Sequence, residues 1–417
     1  MSDTTPADPR LPSPTSDLIH DRPYVVLLVA RTIAMMGFAF APVALAFGLL
    51  DLPGGDAHLL STVLTAQLGP KVVLSLFGGV VADRYPRVRV LQIGIAVVGL
   101  GWVALGLMML TGLTWTWLMC LAAGLTGIAE SVLYPALTGI IPEVVPPLLL
   151  QQGNAWLSMG ASAARLAGLV GSGAMVVLLG GGWAVVVAGA LYLTAGVVAL
   201  GLPVAPAGAN PAESPLRQLI AGWGEFSSRQ WIWVCTAQYA FVVMMLQAAH
   251  GVLGPVIAKA ELGGPKAWTT VLVGEAVGAV LGVVVSLVWR PRRPIFTGVL
   301  VTFFAGVPPV LLGLGAPVLV TAVAAVGMGL GFELFGVLWM TALQREVPPD
   351  ALSRVAAYDA FGSIMFGPIG LIIAAPAADW LGLHPALIGC GGTILLVTAL
   401  AALSPEVRRL KGHVGVR

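Results

Sequence analysis

The stretch Gly79-Val80-Val81-Ala82-Asp83-Arg84-Tyr85-Pro86-Arg87-Val88-Arg89-Val90-Leu91 carries four charges within the seven positions Asp83 to Arg89, between two long apolar runs. Only 10% of the chain is charged, so this cluster reads as a short, rigid turn held in water between two helices that are not. Working outward, the 417 residues are 58% hydrophobic with mean hydropathy +0.94. One aqueous core cannot absorb that much apolar surface, and the bilayer must be the solvent.

Crossing about 30 Å of hydrocarbon takes roughly 20 helical residues. Apolar runs of that length fall near 23–50, 58–82, 90–110, 116–141, 150–179, 183–203, 231–258, 267–289, 295–313, 316–342, 354–378 and 384–403. Backbone groups cannot stay unpaired in lipid, so all twelve are expected as helices. If both termini are cytoplasmic, sixteen of the twenty-one Lys and Arg residues lie inside, only Lys259 and Lys266 outside, and Arg31, Lys71 and Arg165 within spans. That bias fixes the expected orientation. Met1 to Arg22 lacks the basic start and apolar run of a cleaved signal and reads as a disordered cytoplasmic tail. The expected domains are that tail (1–22), a six-helix bundle (23–203), a Pro-containing cytoplasmic linker (204–230) with a short amphipathic helix around Leu216 to Phe226, a second six-helix bundle (231–403) and a tail (404–417).

The halves look like repeats. Val145-Pro146-Pro147-Leu148-Leu149-Leu150 recurs as Val347-Pro348-Pro349-Asp350-Ala351-Leu352, 202 residues on. Arg290-Pro291-Arg292-Arg293-Pro294 falls where the charged turn would recur, with Trp289 in place of Asp83.

The charged stretch resembles the loop between helices 2 and 3 of the major facilitator superfamily, usually G-x-L-A-D-R-x-G-R-K-x-x-L, with Val81, Pro86 and Val88 departing from it. Pro142-Glu143-Val144-Val145-Pro146, Leu343-Gln344-Arg345-Glu346-Val347-Pro348-Pro349 and Ala30-Arg31-Thr32-Ile33-Ala34-Met35-Met36-Gly37 are similar to its drug and macrolide efflux branch, which includes enterobactin exporters. The resemblance implies an all-α integral membrane fold of twelve helices in two pseudo-symmetric six-helix bundles, with the substrate site near the midplane between them. It also implies that Gly79, Asp83, Arg84, Arg87 and Arg89 latch the inner gate, Asp83 facing the positive end of helix 11 near Arg354. The efflux pattern G-P-x-x-G-G is degraded to Gly168-Leu169-Val170-Gly171-Ser172-Gly173.

Ionisable groups at bilayer depth cost several kcal/mol unless they face a wet cavity or a partner. Seven qualify: Arg31, Lys71, Glu130, Arg165, Glu275, Glu333 and Asp359. Helices 3, 6, 9 and 12 carry no Asp, Glu, Lys or Arg, which suits the lipid-facing places the resemblance gives them. Lys71 and Glu275 are 204 apart, and Glu130 and Glu333 are 203 apart, so an opposite-sign pair and two carboxylates are expected to line the cavity from both halves. Burial favours the neutral carboxyl and a nearby cation the charged one, so proton occupancy can follow which side the cavity opens to. Arg31, Gln67, Lys71, Glu130, Gln238, Glu275 and Glu333 are the candidates for substrate or proton contact, and Arg165, Arg354 and Asp359 for gating salt bridges. Gln247 and His250 are further cavity candidates. For each, snorkelling, structural pairing or a satisfied buried role is the competing reading.

Several classes are excluded. Cys120, Cys235 and Cys390 lie far apart, with neither disulfide nor metal spacing. A net charge of +2 gives nucleic acid no purchase. No phosphate loop, H-E-x-x-H or G-x-S-x-G occurs, so neither ATP hydrolysis nor a hydrolase is expected, and no cofactor. The sequence reads as a monomeric, proton-coupled exporter of a small amphipathic compound (drug, antibiotic or siderophore-like) in a bacterial cytoplasmic membrane. Its partners would be that compound, protons and lipid. A nutrient importer is the nearest alternative, and a transport-inactive membrane sensor or assembly partner the alternative of another class.

Overall fold

The structure is a computed structural model that describes residues 18, 20–146, 149–204 and 223–410; most of the expected linker, most of the expected N-terminal tail and residues 411–417 of the expected C-terminal tail lie outside them. The described residues form twelve rods and no strand. These are α1 (Arg22–Leu50), α2 (Ala57–Arg84), α3 (Arg87–Thr111), α4 (Thr116–Val144), α5 (Leu150–Leu179), α6 (Gly181–Ala199), α7 (Gln230–Glu261), α8 (Pro265–Val288), α9 (Pro294–Gly313), α10 (Val318–Glu346), α11 (Pro349–Ile364, continued by Gly367–Leu381) and α12 (Leu383–Leu403). A short α13 (Pro405–Arg409) follows. Eleven of the described helices are long and apolar enough to cross a membrane. α2 is helical over 28 residues, of which the side chains of 57–75 are described. Seven exposed tryptophans, at 115, 117, 183, 223, 233, 289 and 380, sit at or near helix ends, where an indole bridges hydrocarbon and headgroups.

The charged turn is shorter than the sequence suggests. α2 runs to Arg84 and α3 starts at Arg87, so only Tyr85 and Pro86 connect them, and Arg87 and Arg89 belong to the first turn of α3. Pro86, with φ −53° and ψ 115°, lacks the N–H and the clearance to prolong α2 and sets the entry to α3.

The two halves repeat in backbone detail. α1 packs on α5 and α6, α2 on α4, and α3 on α6; likewise α7 packs on α11 and α12, α8 on α10, and α9 on α12. Gly180 joins α5 to α6 with φ 89° and ψ 162°, and Gly382, 202 residues later, joins α11 to α12 with φ 89° and ψ 156°. Both lie in the left-handed region that favours glycine. The C-terminal half is the more broken: α7 contains a π turn (Gln247–Leu253), α9 a 3-10 segment (Thr302–Gly306), and α11 an interruption at Met365 and Phe366 before the Gly367-Pro368 pair.

α2 against α11 and α5 against α8 form the seams between halves. One face of the bundle carries the basic α2–α3, α8–α9 and α10–α11 connections and is called the Arg-rich face; the opposite face carries short hairpins. At the far face one continuous apolar core spans both halves, including Leu45, Leu60, Val252, Trp268 and Leu371. At the Arg-rich face the C-terminal half has its own core, built from residues such as Trp231, Ile295, Trp339 and Val407. Residues 223–228 are helical there, and Trp223, Phe226 and Tyr358 cluster with ring centroids 5.6 to 5.8 Å apart, Trp223 stacked on Phe226 and Tyr358 tilted against both. The seam is therefore sealed by apolar packing at one end and divided at the other.

Candidate functional site

A cavity of about 280 Å³ lies between the halves, lined by α1, α2, α3, α4, α7, α8 and α11. Its polar groups are Gln67, Lys71 and Glu130 from one half and Gln247 and His250 from the other. Close packing of α2 on α4 assembles the first set. A Cβ on Gly127 would lie 1.9 Å from the Gln67 carbonyl oxygen, so the backbones meet only because that position has no side chain. Gly329, 202 residues on, meets the Glu275 carbonyl at the same distance in the α10–α8 contact. One turn separates Gln67 from Lys71, which puts both on the face of α2 that meets α4. Lys71 Nζ donates to Glu130 Oε2 at 2.8 Å, and Gln67 Nε2 stands 3.5 Å from Glu130 Oε1. The Glu130 side chain is only 8% exposed, whereas Lys71 keeps 34% and lies 5.7 Å over the Phe38 ring. The carboxylate is thus enclosed, while the ammonium that pairs with it stays partly open to the cavity.

Phe38, Lys71 and Glu130 also wall a second chamber of about 320 Å³ inside the N-terminal half, where Arg31 and Tyr192 join an otherwise apolar lining. Arg31 is placed in this chamber rather than in the cavity between halves.

Other candidates are placed differently from the sequence expectation. Lys71 and Glu275 do not form the opposite-sign pair. Lys71 meets Glu130 in its own half, while Glu275 Oε1 accepts from Arg165 Nη2 at 3.3 Å across the α5–α8 seam. The N-terminal partner is nearer because α2 packs on α4, and α8 faces α5. Glu333 lines a pocket of about 100 Å³ with Arg165 and Ser162, away from the main cavity. Gln238 lies outside the cavity lining altogether: its Nε2 donates to Thr302 at 3.0 Å and Thr398 at 3.1 Å, tying α7 to α9 and α12. Asp359 accepts from Thr236 (2.8 Å), Trp339 Nε1 (2.7 Å) and Ser363 (3.4 Å), which anchors α11 inside its own half instead of bridging halves. Arg87 pairs with Glu143 at 2.8 Å between α3 and α4, and Arg89 is exposed. The surroundings of Gly79 and the side chains of Asp83, Arg84 and Arg354 lie outside the described ones.

Phe38, Trp102 and Trp268 were missed by sequence reasoning. Helical spacing held a signal for two of them, since Phe38 follows Arg31 and Trp268 precedes Glu275 by seven residues, two turns on one face. The far-face contacts between halves were missed as well. Lys259 pairs with Asp51 at 2.7 Å and also donates to the Leu50 carbonyl; His58 pairs with Asp379 at 2.7 Å; and Ser61 donates to the Leu371 carbonyl at 2.6 Å. Partly exposed pairs of this kind contribute about 0.2–1 kcal/mol each, a factor of roughly 1.4 to 5 in population. Lys259→Met is accordingly expected to raise, by a factor in that range, the labelling of Leu45→Cys by an impermeant maleimide added at the far face. Unchanged labelling would show that the apolar core alone holds this end shut.

Comparison with known proteins adds three findings. The family model described as Major Facilitator Superfamily matches residues 27–364. The multidrug efflux pump Tap of Mycolicibacterium fortuitum is 29% identical over 151 residues, a match that covers 34% of this chain and spans about a third (34%) of the length of that curated relative. Among solved structures, a mutant of the nucleoside transporter NupG superposes with TM-score 0.76 at 12% identity over 91% of this chain and 100% of that one. A POT family transporter in complex with 5-aminolevulinic acid superposes with TM-score 0.73 at 12% identity over 93% and 97%. A bacterial homolog of the human lysosomal transporter Spinster gives 0.64 at 15% over 93% and 98%. At these identities the structures speak for the fold alone.

Proposed function

We propose that this chain, which belongs to the Major Facilitator Superfamily and is thus a membrane transporter rather than an enzyme, exports a small amphipathic compound in exchange for protons. The observation that carries the reading is the Lys71–Glu130 pair, an enclosed carboxylate at the middle of α4 in the wall of the cavity between halves. Nothing about lipid solvation requires a charge there, and a partly exposed ammonium facing an enclosed carboxylate is an arrangement a proton can interrupt. The basic connections suit a cytoplasmic Arg-rich face, with α1 starting and α12 ending there. In that orientation the far-face contacts close the outer side, and the cavity takes its cargo from the cytoplasm.

Likeness to an efflux pump over a third of the chain favours export. The apolar cavity walls, with few polar groups, favour an amphipathic cargo over a sugar-like one. Gly79, Asp83, Arg84, Arg87, Arg89 and Arg354 remain the proposed inner latch, and Arg31, Gln67, Lys71, Glu130, Glu275 and Glu333 the proposed cargo and proton contacts.

Everted vesicles from cells expressing the protein, given a panel of amphipathic dyes and antibiotics that includes ethidium in the external medium, provide the test. Acidifying the vesicle lumen is expected to drive at least one compound inward, with collapse of the gradient by an ionophore abolishing uptake. Accumulation only in right-side-out vesicles would instead identify an importer, and movement in neither would remove the transport reading.

A further inference from the structure

The π turn of α7 places His250 where no role has yet been given to it. His250 lines the cavity between halves, and its ring lies edge-on to Trp268, with centroids 5.5 Å apart and planes at 88°. Nδ1 stands 3.8 Å from Glu275 Oε2, while Nε2 is buried and has no hydrogen-bond partner among the described residues. A buried imidazole nitrogen without a protein partner is costly whether it carries a hydrogen or a lone pair, so a partner offered to Nε2 from the cavity would be favoured. π turns inside α-helices commonly mark functional positions, and this one spans Gln247–Leu253 around the histidine.

The neighbouring charges say what an added proton would do. Glu275 shares its carboxylate between the two sides: Oε2 faces His250 in the same half, and Oε1 accepts from Arg165 in the other half at 3.3 Å. Across the cavity, α2 contributes Lys71 and α4 contributes Glu130, already paired at 2.8 Å. α1 and α11 present the apolar Ala41, Leu45 and Leu371 to the cavity. α12 carries His384, held on the far face by Glu261 at 2.9 Å, and the thiol of Cys390. With a neutral His250, the Glu275–His250 pair that Arg165 contacts has net charge −1, and Glu333 of α10 adds a second carboxylate to the small pocket that Arg165 also lines. With a protonated His250 that pair sums to zero, so Glu275 loses its net pull on Arg165 across the α5–α8 seam and Glu333 is left as the carboxylate that can attract the guanidinium.

We infer that His250 is a proton-binding group whose protonation releases the Arg165–Glu275 bridge between the two halves. The proton enters at a ring nitrogen from water in the cavity, no covalent bond changes, and it returns to water when the seam re-forms. This deepens the proton-coupled reading above and rests on it for its use in transport. Its test needs neither cargo nor gradient, so the two can fail separately.

Selective labelling of the five histidines in the full chain, reconstituted in lipid nanodiscs, makes the first measurement tractable by NMR. The resonance lost in His250→Gln is expected to titrate in the wild type between about pH 8 and pH 5, the range over which imidazole changes charge. Spin labels at Ser158→Cys and Val284→Cys, with Cys120→Ser, report the separation of α5 and α8. Acidification is expected to shift their distance distribution in otherwise wild-type protein; His250→Gln holds the neutral-pH distribution throughout, and Glu275→Gln shows the acidic one at every pH. A His250 resonance that stays fixed over this range, or a pH-dependent distance that survives in His250→Gln, overturns the inference. Should His250→Gln fail to fold, the labels in the Glu275→Gln protein decide, since a surviving pH response there is equally fatal.

Discussion

Glu130→Gln is expected to reduce proton-driven transport to the level of empty liposomes while leaving the protein folded. The amide keeps the shape of the carboxyl and can still accept from Lys71 Nζ, now 2.8 Å from Oε2, so the α2–α4 contact survives. What it loses is the ability to take and give a proton. Exchange of cargo down its own gradient, with no proton moved, is therefore expected to persist. The two assays on one proteoliposome preparation separate coupling from binding. Retained acid-driven accumulation in Glu130→Gln would assign coupling elsewhere, and loss of both activities would mean that the carboxylate holds cargo directly. Glu130→Leu is a harsher change, because it leaves a partly buried ammonium without its counter-charge.

The second large effect concerns stability. Gly127→Ala would set a methyl 1.9 Å from the Gln67 carbonyl oxygen and 2.9 Å from its carbon, backbone atoms that cannot rotate aside. Helices α2 and α4 must separate, and overpacking of this kind costs about 1–3 kcal/mol or more. The same separation withdraws Lys71 from Glu130. Gly336→Ala is the control, since a Cβ there has nothing within 4 Å. Thermal unfolding followed by size-exclusion should show Gly127→Ala clearly less stable and Gly336→Ala unchanged. Equal stability of the two would mean that the helices do not approach this closely in the membrane.

Much of the architecture was legible because the bilayer enforces it. The apolar runs match α1 to α12 within a few residues, and the 202-residue offset read from Val145-Pro146 and Val347-Pro348 reappears in the paired backbone angles of Gly180 and Gly382. The facing of side chains was less legible. Gln238 and Gln247 are nine residues apart, which is two and a half turns and hence opposite faces of a regular helix. Both could not have lined one cavity, and periodicity alone could have said so. The partner of Lys71 was not readable: pseudo-symmetry relates it to Glu275, but the contact is decided by which helices pack, and α2 packs on α4. The far-face pairs were hidden for a plainer reason. His58 and Asp379 stand 321 residues apart at helix ends where charge is unremarkable, and only the assembled halves bring them together.

The single-glycine connections at Gly180 and Gly382 leave almost no slack between neighbouring helices. They clip α5 and α11, each part of a seam, to α6 and α12, whose outer faces expose Val197, Leu200, Leu396 and Leu400. Neither α5 nor α11 can then tilt without dragging the neighbour to which it is clipped, a rod with an exposed apolar face suited to acyl chains. Turnover should feel the thickness and tension of the surrounding lipid through these two clips, making the membrane a mechanical participant in the cycle as well as its solvent.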